Sequence, residues 1–247
     1  MPDLAIIGGT GLTSLKGLEI VRREVMYTPY GEPSGPLTHG ILNGKQVVFL
    51  ARHGYGHNIP PHLINYRANL WALKEAGVSR VVAVAAVGGI ATALPPGGLA
   101  IPDQLIDYTW GRASTFFDQD LTHVTHVDFS WPYDAGLREL LIRACRKSGI
   151  EACEHGVYGV TQGPRLETVA EIDRMERDGC AMVGMTAMPE AALARELDMA
   201  YATFAVAANW AAGRAGLDVI QMEEIERTLR EGMERVRTVL TTLVALL

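Results

Sequence analysis

Four short apolar runs set the limits on what this chain can fold into. Leu4–Ile7 (LAII), Val47–Ala51 (VVFLA), Val81–Val87 (VVAVAAV) and Thr203–Ala208 (TFAVAA) hold almost no polar side chains, and the first and third stop on paired glycines. Runs of this length without polar alternation suit strands covered on both faces, as in a mostly parallel sheet. Helical spacing lies between them. Ile64, Ala68, Leu70, Trp71 and Ala76 precede Gly77, and Asp134 stands as an N-cap before Leu137, Leu140, Leu141, Ala144 and Cys145. Pro189 stands at the head of PEAALAREL, and Met222, Ile225, Leu229, Val236, Leu240 and Leu243 trace one face of a closing helix. Strands alternating with helices predict an α/β protein.

Composition narrows the class. The chain has 247 residues, 48% apolar and 20% charged, which predicts one ordered domain over 1–247. Lys and Arg number 22 against 28 Asp and Glu, a net charge of −6. A dedicated nucleic-acid partner is therefore not expected, although a local cluster of cations and amides still suffices for a small anion. Three cysteines without a CxxC spacing exclude a disulfide framework and a thiolate zinc knuckle. The start, MPDLAIIGGTG, lacks the basic head and long apolar core of a signal peptide, and Val81–Leu94 is too short and glycine-broken to span a bilayer. The expectation is a cytoplasmic protein with no membrane partner.

Several turns at strand ends carry chemistry. Gly8-Gly9-Thr10-Gly11 follows the first run, where glycines let amides approach an anion and Thr10 adds a hydroxyl. It has neither the GxGxxG spacing nor the Lys-Ser/Thr ending of the well-known nucleotide loops, so a plain strand–loop turn is equally compatible. Arg52-His53 follows the second run; Arg offers a planar fork for phosphate or carboxylate, while its isolated alternative is a surface cation. His53 and His57 have the spacing of two zinc ligands, but Gly54 and Gly56 break the helix such a pair needs, and no metal is expected. TQGPRLET (161–168) and MVGMTAMPE (182–190) read as turn-like segments; the second places Met185 and Thr186 before a helix N-terminus, a natural anion site. Asn209 ends the fourth run and can meet a ligand edge that has both a donor and an acceptor. The irregular stretch Asp107–Pro132, with six aromatic residues, reads as a flap over a site or as interface material.

IIGGTGL (6–12), LARHG (50–54), NYRANLWALKEAGV (65–78), AAVGGI (85–90), TQGPRLET (161–168), GMTAMPEAALARE (184–196) and AAN (207–209) together resemble the trimeric purine nucleoside phosphorylase and methylthioadenosine phosphorylase family, in family order and over nearly the whole chain. The resemblance implies a central mixed, largely parallel β-sheet flanked by helices, and phosphorolysis of a purine nucleoside with inorganic phosphate as co-substrate and no cofactor. It implies phosphate contacts from Thr10, Arg52, His53, the Ala86 amide and Thr186, a ribose contact from Met185, and purine contacts from Leu166, Glu167 and Asn209. Asn209 is the implied catalytic group, donating to N7 as negative charge builds on the leaving base. Two positions depart from the family pattern: Ala85 replaces a hydroxyl and Leu166 an aromatic ring.

The pairing of Asn209 with Ala211, where methylthioadenosine phosphorylases carry two aspartates, points to a 6-oxopurine, with Glu167 accepting from N1–H. Met222, where ordinary nucleoside phosphorylases have a histidine, suits a methylthio group, although it also lies on the helix's core stripe. His126 matches a loop histidine that family members donate from the neighbouring subunit of a homotrimer. The expected substrate is S-methyl-5′-thioinosine. Inosine or guanosine, methylthioadenosine, and a non-catalytic nucleotide-binding scaffold stay open as alternatives.

Overall fold

The computed structural model describes residues 2–119, 121–216 and 221–247. Ten strands form a single sheet: β1 (Leu4–Gly8), β2 (Glu19–Glu24), β3 (Leu37–Leu42), β4 (Lys45–Ala51), β5 (Arg80–Gly89), β6 (Leu99–Ala100), β7 (Gln104–Asp107), β8 (Val157–Val160), β9 (Cys180–Gly184) and β10 (Ala200–Trp210). Among the described residues five α-helices accompany it: α1 (Tyr66–Glu75), α2 (Ala135–Lys147), α3 (Val169–Arg177), α4 (Ala187–Glu196) and α5 (Met222–Val244). The sheet runs β2-β3-β4-β1-β5-β9-β8-β7, with β10 also on β5 and β6 on β10. β4, β1, β5 and β10 are mutually parallel, as are β7, β8 and β9, and the two groups meet antiparallel where β9 joins β5.

The unbroken apolar runs are explained by burial on both sides. Ala5, Ile7, Val48, Leu50, Val81 and Ala83 face the layer of α1 and α4, while Leu4, Ile6, Val47, Phe49, Val82 and Val84 face that of α2 and α5. All four expected strands are present, longer than their most apolar residues. Asn65 starts α1 by accepting from the Ala68 amide at 3.0 Å, which trims the expected helix from Ile64 to Tyr66. Asp134 caps α2 as expected, accepting from Leu137 N at 2.7 Å.

Two readings are corrected. Residues 182–190 are not simply a turn: Met182–Gly184 complete β9, and α4 starts at Ala187, with Pro189 placed after a non-helical Met188. Gly179 and Gly184 bracket this strand and read as turn signals. Met222 does not join the core stripe of α5. Met222, in the first turn of that helix, is 58% exposed; Ile225 packs partly against the core, and full burial begins at Leu229.

One feature of the sheet positions everything that follows. β1 accompanies β5 only as far as Ile7↔Ala83, and β9 takes over only at Gly88↔Val183. Between them the edge of Val84–Val87 is open on one side while β10 covers the other.

Candidate active site

The open edge of β5 is the floor of a cavity of about 600 Å³, walled by the exits of β1, β4, β8, β9 and β10. Its position follows the rule that ligands in α/β sheets sit at the carboxyl ends of strands where the strand order switches. Arg52, leaving β4, reaches across this edge and donates from Nη1 to the Val84 carbonyl at 2.9 Å. Gly9 makes room for it: a Cβ there would stand 2.5 Å from the Val84 oxygen and 3.1 Å from Arg52 Nη1. Because strand amides alternate sides, the Ala86 N–H points to the same open edge as the Val84 carbonyl.

Arg52 is 1% exposed, so the surface-cation alternative fails. Its Nε and Nη2 donate to the two carboxylate oxygens of Glu190 at 2.7 and 2.8 Å, and Glu190 also accepts from the Tyr201 hydroxyl at 2.8 Å. Glu190 is wholly buried, and despite the desolvation that works against it, the carboxylate holds the guanidinium charged. Three of five donors are used here, which leaves two for an anion in the cavity.

His53 is packed beside Arg52, with Nδ1 at 2.9 Å from the Ile59 carbonyl. A carbonyl only accepts, so Nδ1 carries the proton and Nε2 has a free lone pair. Burial, then the charge of Arg52, push the imidazole pKa down to about 4. His57, set aside above as a zinc ligand, instead places Nε2 at 3.1 Å from Thr10 Oγ1 and its ring 4.8 Å from that of His53. Among the described residues no three His, Cys, Asp or Glu side chains cluster as a metal site. Thr186 precedes α4, makes no side-chain cap bond, is buried and lines the cavity beside Arg52 and His53.

Gly88, Val183, Gly184 and Ala211 make an apolar slot, closed by Leu166 and Pro164. Glu167 lies at its edge, its carboxylate accepting from Thr161 Oγ1 at 2.6 Å. Burial raises the Glu167 pKa, and the Thr161 bond opposes that shift. Asn209 follows an irregularity in the register of β10 with β5, which turns its amide toward the slot. Its Nδ2 donates to the Trp210 carbonyl at 2.6 Å, leaving one amide hydrogen and Oδ1 for a ligand. Met185 stands between the two ends, and Met222, Ile225 and Leu229 of α5 face Pro60 and Pro61 across the mouth.

Ten of the eleven residues expected at the site line this cavity: Thr10, Arg52, His53, Ala86, Leu166, Glu167, Met185, Thr186, Asn209 and Met222. The eleventh, His126, is exposed on the loop after β7 and does not reach the cavity of its own chain. Part of that loop packs on the body of the fold and not over the cavity: Phe116 packs edge-on against Tyr30, Glu196 accepts from Thr115 Oγ1 and Phe116 N, both at 2.7 Å, and no described residue of 107–132 lines the cavity.

Sequence reasoning missed Glu190, His57 and Thr161. Glu190 reads locally as a solvated acid in a first helical turn, and its partner lies 138 residues away. Thr161 had a better signal, a hydroxyl at the first position of the segment that ends in Glu167.

The cavity thus sets a buried guanidinium with two unused N–H donors in one wall, and a carboxylate and a carboxamide in another. The chain belongs to the phosphorylase superfamily, whose family model matches residues 3–245. It is 55% identical to the probable S-methyl-5′-thioinosine phosphorylase of Pseudomonas syringae pv. tomato over 99% of each chain. It is 45% identical to the 6-oxopurine nucleoside phosphorylase of Pyrococcus furiosus, covering 98% of this chain and 92% of that one. The methylthioadenosine phosphorylase of Schistosoma mansoni in complex with adenine superposes with a TM-score of 0.95 at 31% identity, over 100% of this chain and 91% of that one.

Proposed function

We propose that the protein catalyses phosphorolysis of S-methyl-5′-thioinosine to hypoxanthine and 5-methylthioribose 1-phosphate. The observation that carries this reading is the convergence of Arg52, Thr186, Glu167 and Asn209 on one cavity, from segments spread over the chain. A non-catalytic scaffold gives no reason for that convergence. The probable methylthioinosine phosphorylase from Pseudomonas syringae supports the choice of substrate.

In this reading phosphate sits between the free donors of Arg52, the Ala86 amide, Thr10 and Thr186. A protonated phosphate oxygen donates to His53 Nε2. A phosphate oxygen forms the bond to the anomeric carbon as the bond from that carbon to purine N9 breaks. The electron pair of that bond goes to the base, and the Asn209 amide stabilises it by donating to N7; a proton from the phosphate or solvent completes hypoxanthine. Glu167 accepts from N1–H, a donor that 6-oxopurines have and 6-aminopurines lack. Met185 covers the sugar, and the apolar mouth at Met222 takes the methylthio group. The co-substrate is inorganic phosphate, and no step calls for a cofactor.

Assembly belongs to the same proposal: a homotrimer in which His126 enters the site of the neighbouring subunit. Exposed Trp110, Val124 and Trp131 around this loop support it, as apolar surface that a partner would cover. Among the described residues no helix is long and apolar enough to cross a membrane. We place the enzyme in the cytoplasm, where its three free cysteines stay reduced.

The test is phosphate-dependent base release from methylthioinosine, inosine and methylthioadenosine. The expected order of kcat/KM puts methylthioinosine first. A higher value for methylthioadenosine would overturn the roles of Glu167 and Asn209; equal values for inosine and methylthioinosine would overturn that of Met222. Asn209→Asp should cut 6-oxopurine turnover by about 10²-fold, the cost of a lost transition-state donor.

A further inference from the structure

Three consecutive parallel strands, β7, β8 and β9, leave the sheet side by side. The exits of β8 and β9 carry the slot-edge residue Glu167 and the mid-cavity residue Met185, and neither exit is tied to the other by a secondary-structure ladder beyond Thr161 N donating to Gly184 O at 2.8 Å. The exit of β7 sends Arg112 across both. Its Nη2 donates to the Thr161 and Gln162 carbonyls at 3.1 and 2.8 Å, and its Nη1 to the Met185 and Met188 carbonyls at 2.8 and 2.5 Å. Nε donates to the Gln162 side chain at 3.1 Å, and the guanidinium carbon lies 5.5 Å from the centre of the Tyr66 ring. Arg112 is half-buried, and among the described residues it makes no carboxylate contact and lines no part of the cavity.

A guanidinium satisfied almost wholly by backbone carbonyls has one physical consequence: it fixes the distance between the segments that own them. We propose that Arg112 is a positioning residue for catalysis, setting the spacing between the wall that reads the base and the wall that covers the sugar. It acts on the base wall through Thr161, whose hydroxyl orients Glu167, and on the sugar wall through Met185. This inference rests on the phosphorolysis reading for its activity test, but the clamp itself does not. Lysine cannot replace arginine, because one ammonium offers three donors from a single point and cannot bridge two walls with a planar fork.

The experiment compares Arg112→Lys and Arg112→Ala with the parent enzyme. Hydrogen exchange without substrate reads the clamp alone, and the amides of 161–168 and 185–188 should exchange faster in both variants. Steady-state kinetics should show kcat/KM for methylthioinosine about 10²-fold lower in both, the scale expected for misplacement by about an ångström. The preference for methylthioinosine over methylthioadenosine should shrink as Glu167 loses its setting. Added guanidinium ion should restore part of the Arg112→Ala activity and none of that of Arg112→Lys. If Arg112→Lys keeps kcat/KM within about threefold of the parent, the proposal fails whatever Arg112→Ala does. It fails equally if exchange at both segments is unchanged, or if activity drops with the base preference intact. A parent that releases no base from any of the three nucleosides overturns the functional reading instead, while the exchange result still decides whether Arg112 ties the two walls.

Discussion

The Thr161 hydroxyl donates to Glu167 at 2.6 Å, between residues six apart in one strand exit. The bond favours the ionised carboxylate, while burial favours the neutral acid and raises the pKa overall. The ionised form accepts from N1–H in a charge-assisted bond, stronger than the one the neutral acid can make. The kcat/KM for a 6-oxopurine nucleoside should therefore fall on the acid side, at a pH above the ordinary carboxylate range. Thr161→Val removes the opposing bond, so this limb should move to higher pH, with a loss of about fivefold near neutrality. Glu167→Gln should remove the limb. Profiles of kcat/KM from about pH 5 to 8 check all three.

The Arg52–Glu190 pair makes a prediction about the fold. Removing one partner of a buried ion pair leaves the other uncompensated, at a cost of about 3–5 kcal/mol. Glu190→Ala should lose that much in urea denaturation. Glu190→Gln keeps one acceptor for Arg52 and should lose less. In both variants the KM for phosphate should change more than the affinity for free hypoxanthine.

His53 sets an acid limit on stability. Its folded pKa, about 4, lies below the unfolded value near 6.5, so folding excludes a proton between them. The contribution is full above the unfolded pKa and is lost as pH falls toward 4, by about 3 kcal/mol in total. Denaturation midpoints measured across this window should fall with acid in the parent, and His53→Gln should flatten that slope.

Met222→His places a donor at the mouth of the cavity, where the proposed methylthio group lies. The ratio of kcat/KM for methylthioinosine over inosine should fall by about tenfold, the scale of one misplaced small group in an apolar pocket. An unchanged ratio would show that the mouth does not read the 5′ substituent.

The major strands and the cavity residues were legible in the sequence for the same reason. Val81–Val87 and Thr203–Ala208 are apolar on both faces, which only a buried parallel strand requires, and Arg52, Thr186 and Asn209 stand where such strands or their turns end. What stayed hidden depends on distance or lacks a clear local signal. The Arg52–Glu190 contact joins residues 138 apart. β9 is bracketed by Gly179 and Gly184, which read as turn signals, and β2 is exposed almost throughout, with no apolar run to read. Arg112 sits in a segment without periodicity, and nothing local marks it as the residue that spans two other loops.

The open edge of β5 has an evolutionary consequence. The two ends of the cavity draw on different segments: Thr10 after β1, Arg52 after β4 and Thr186 after β9 at one end, Glu167 after β8 and Asn209 near the end of β10 at the other. In the proposed reading, exchanges in 161–168 or 209–211 would retarget the site to another purine without touching the buried Arg52–Glu190 pair. Relatives named for methylthioinosine, 6-oxopurine nucleosides and methylthioadenosine on one shared architecture are the outcome such a partition permits.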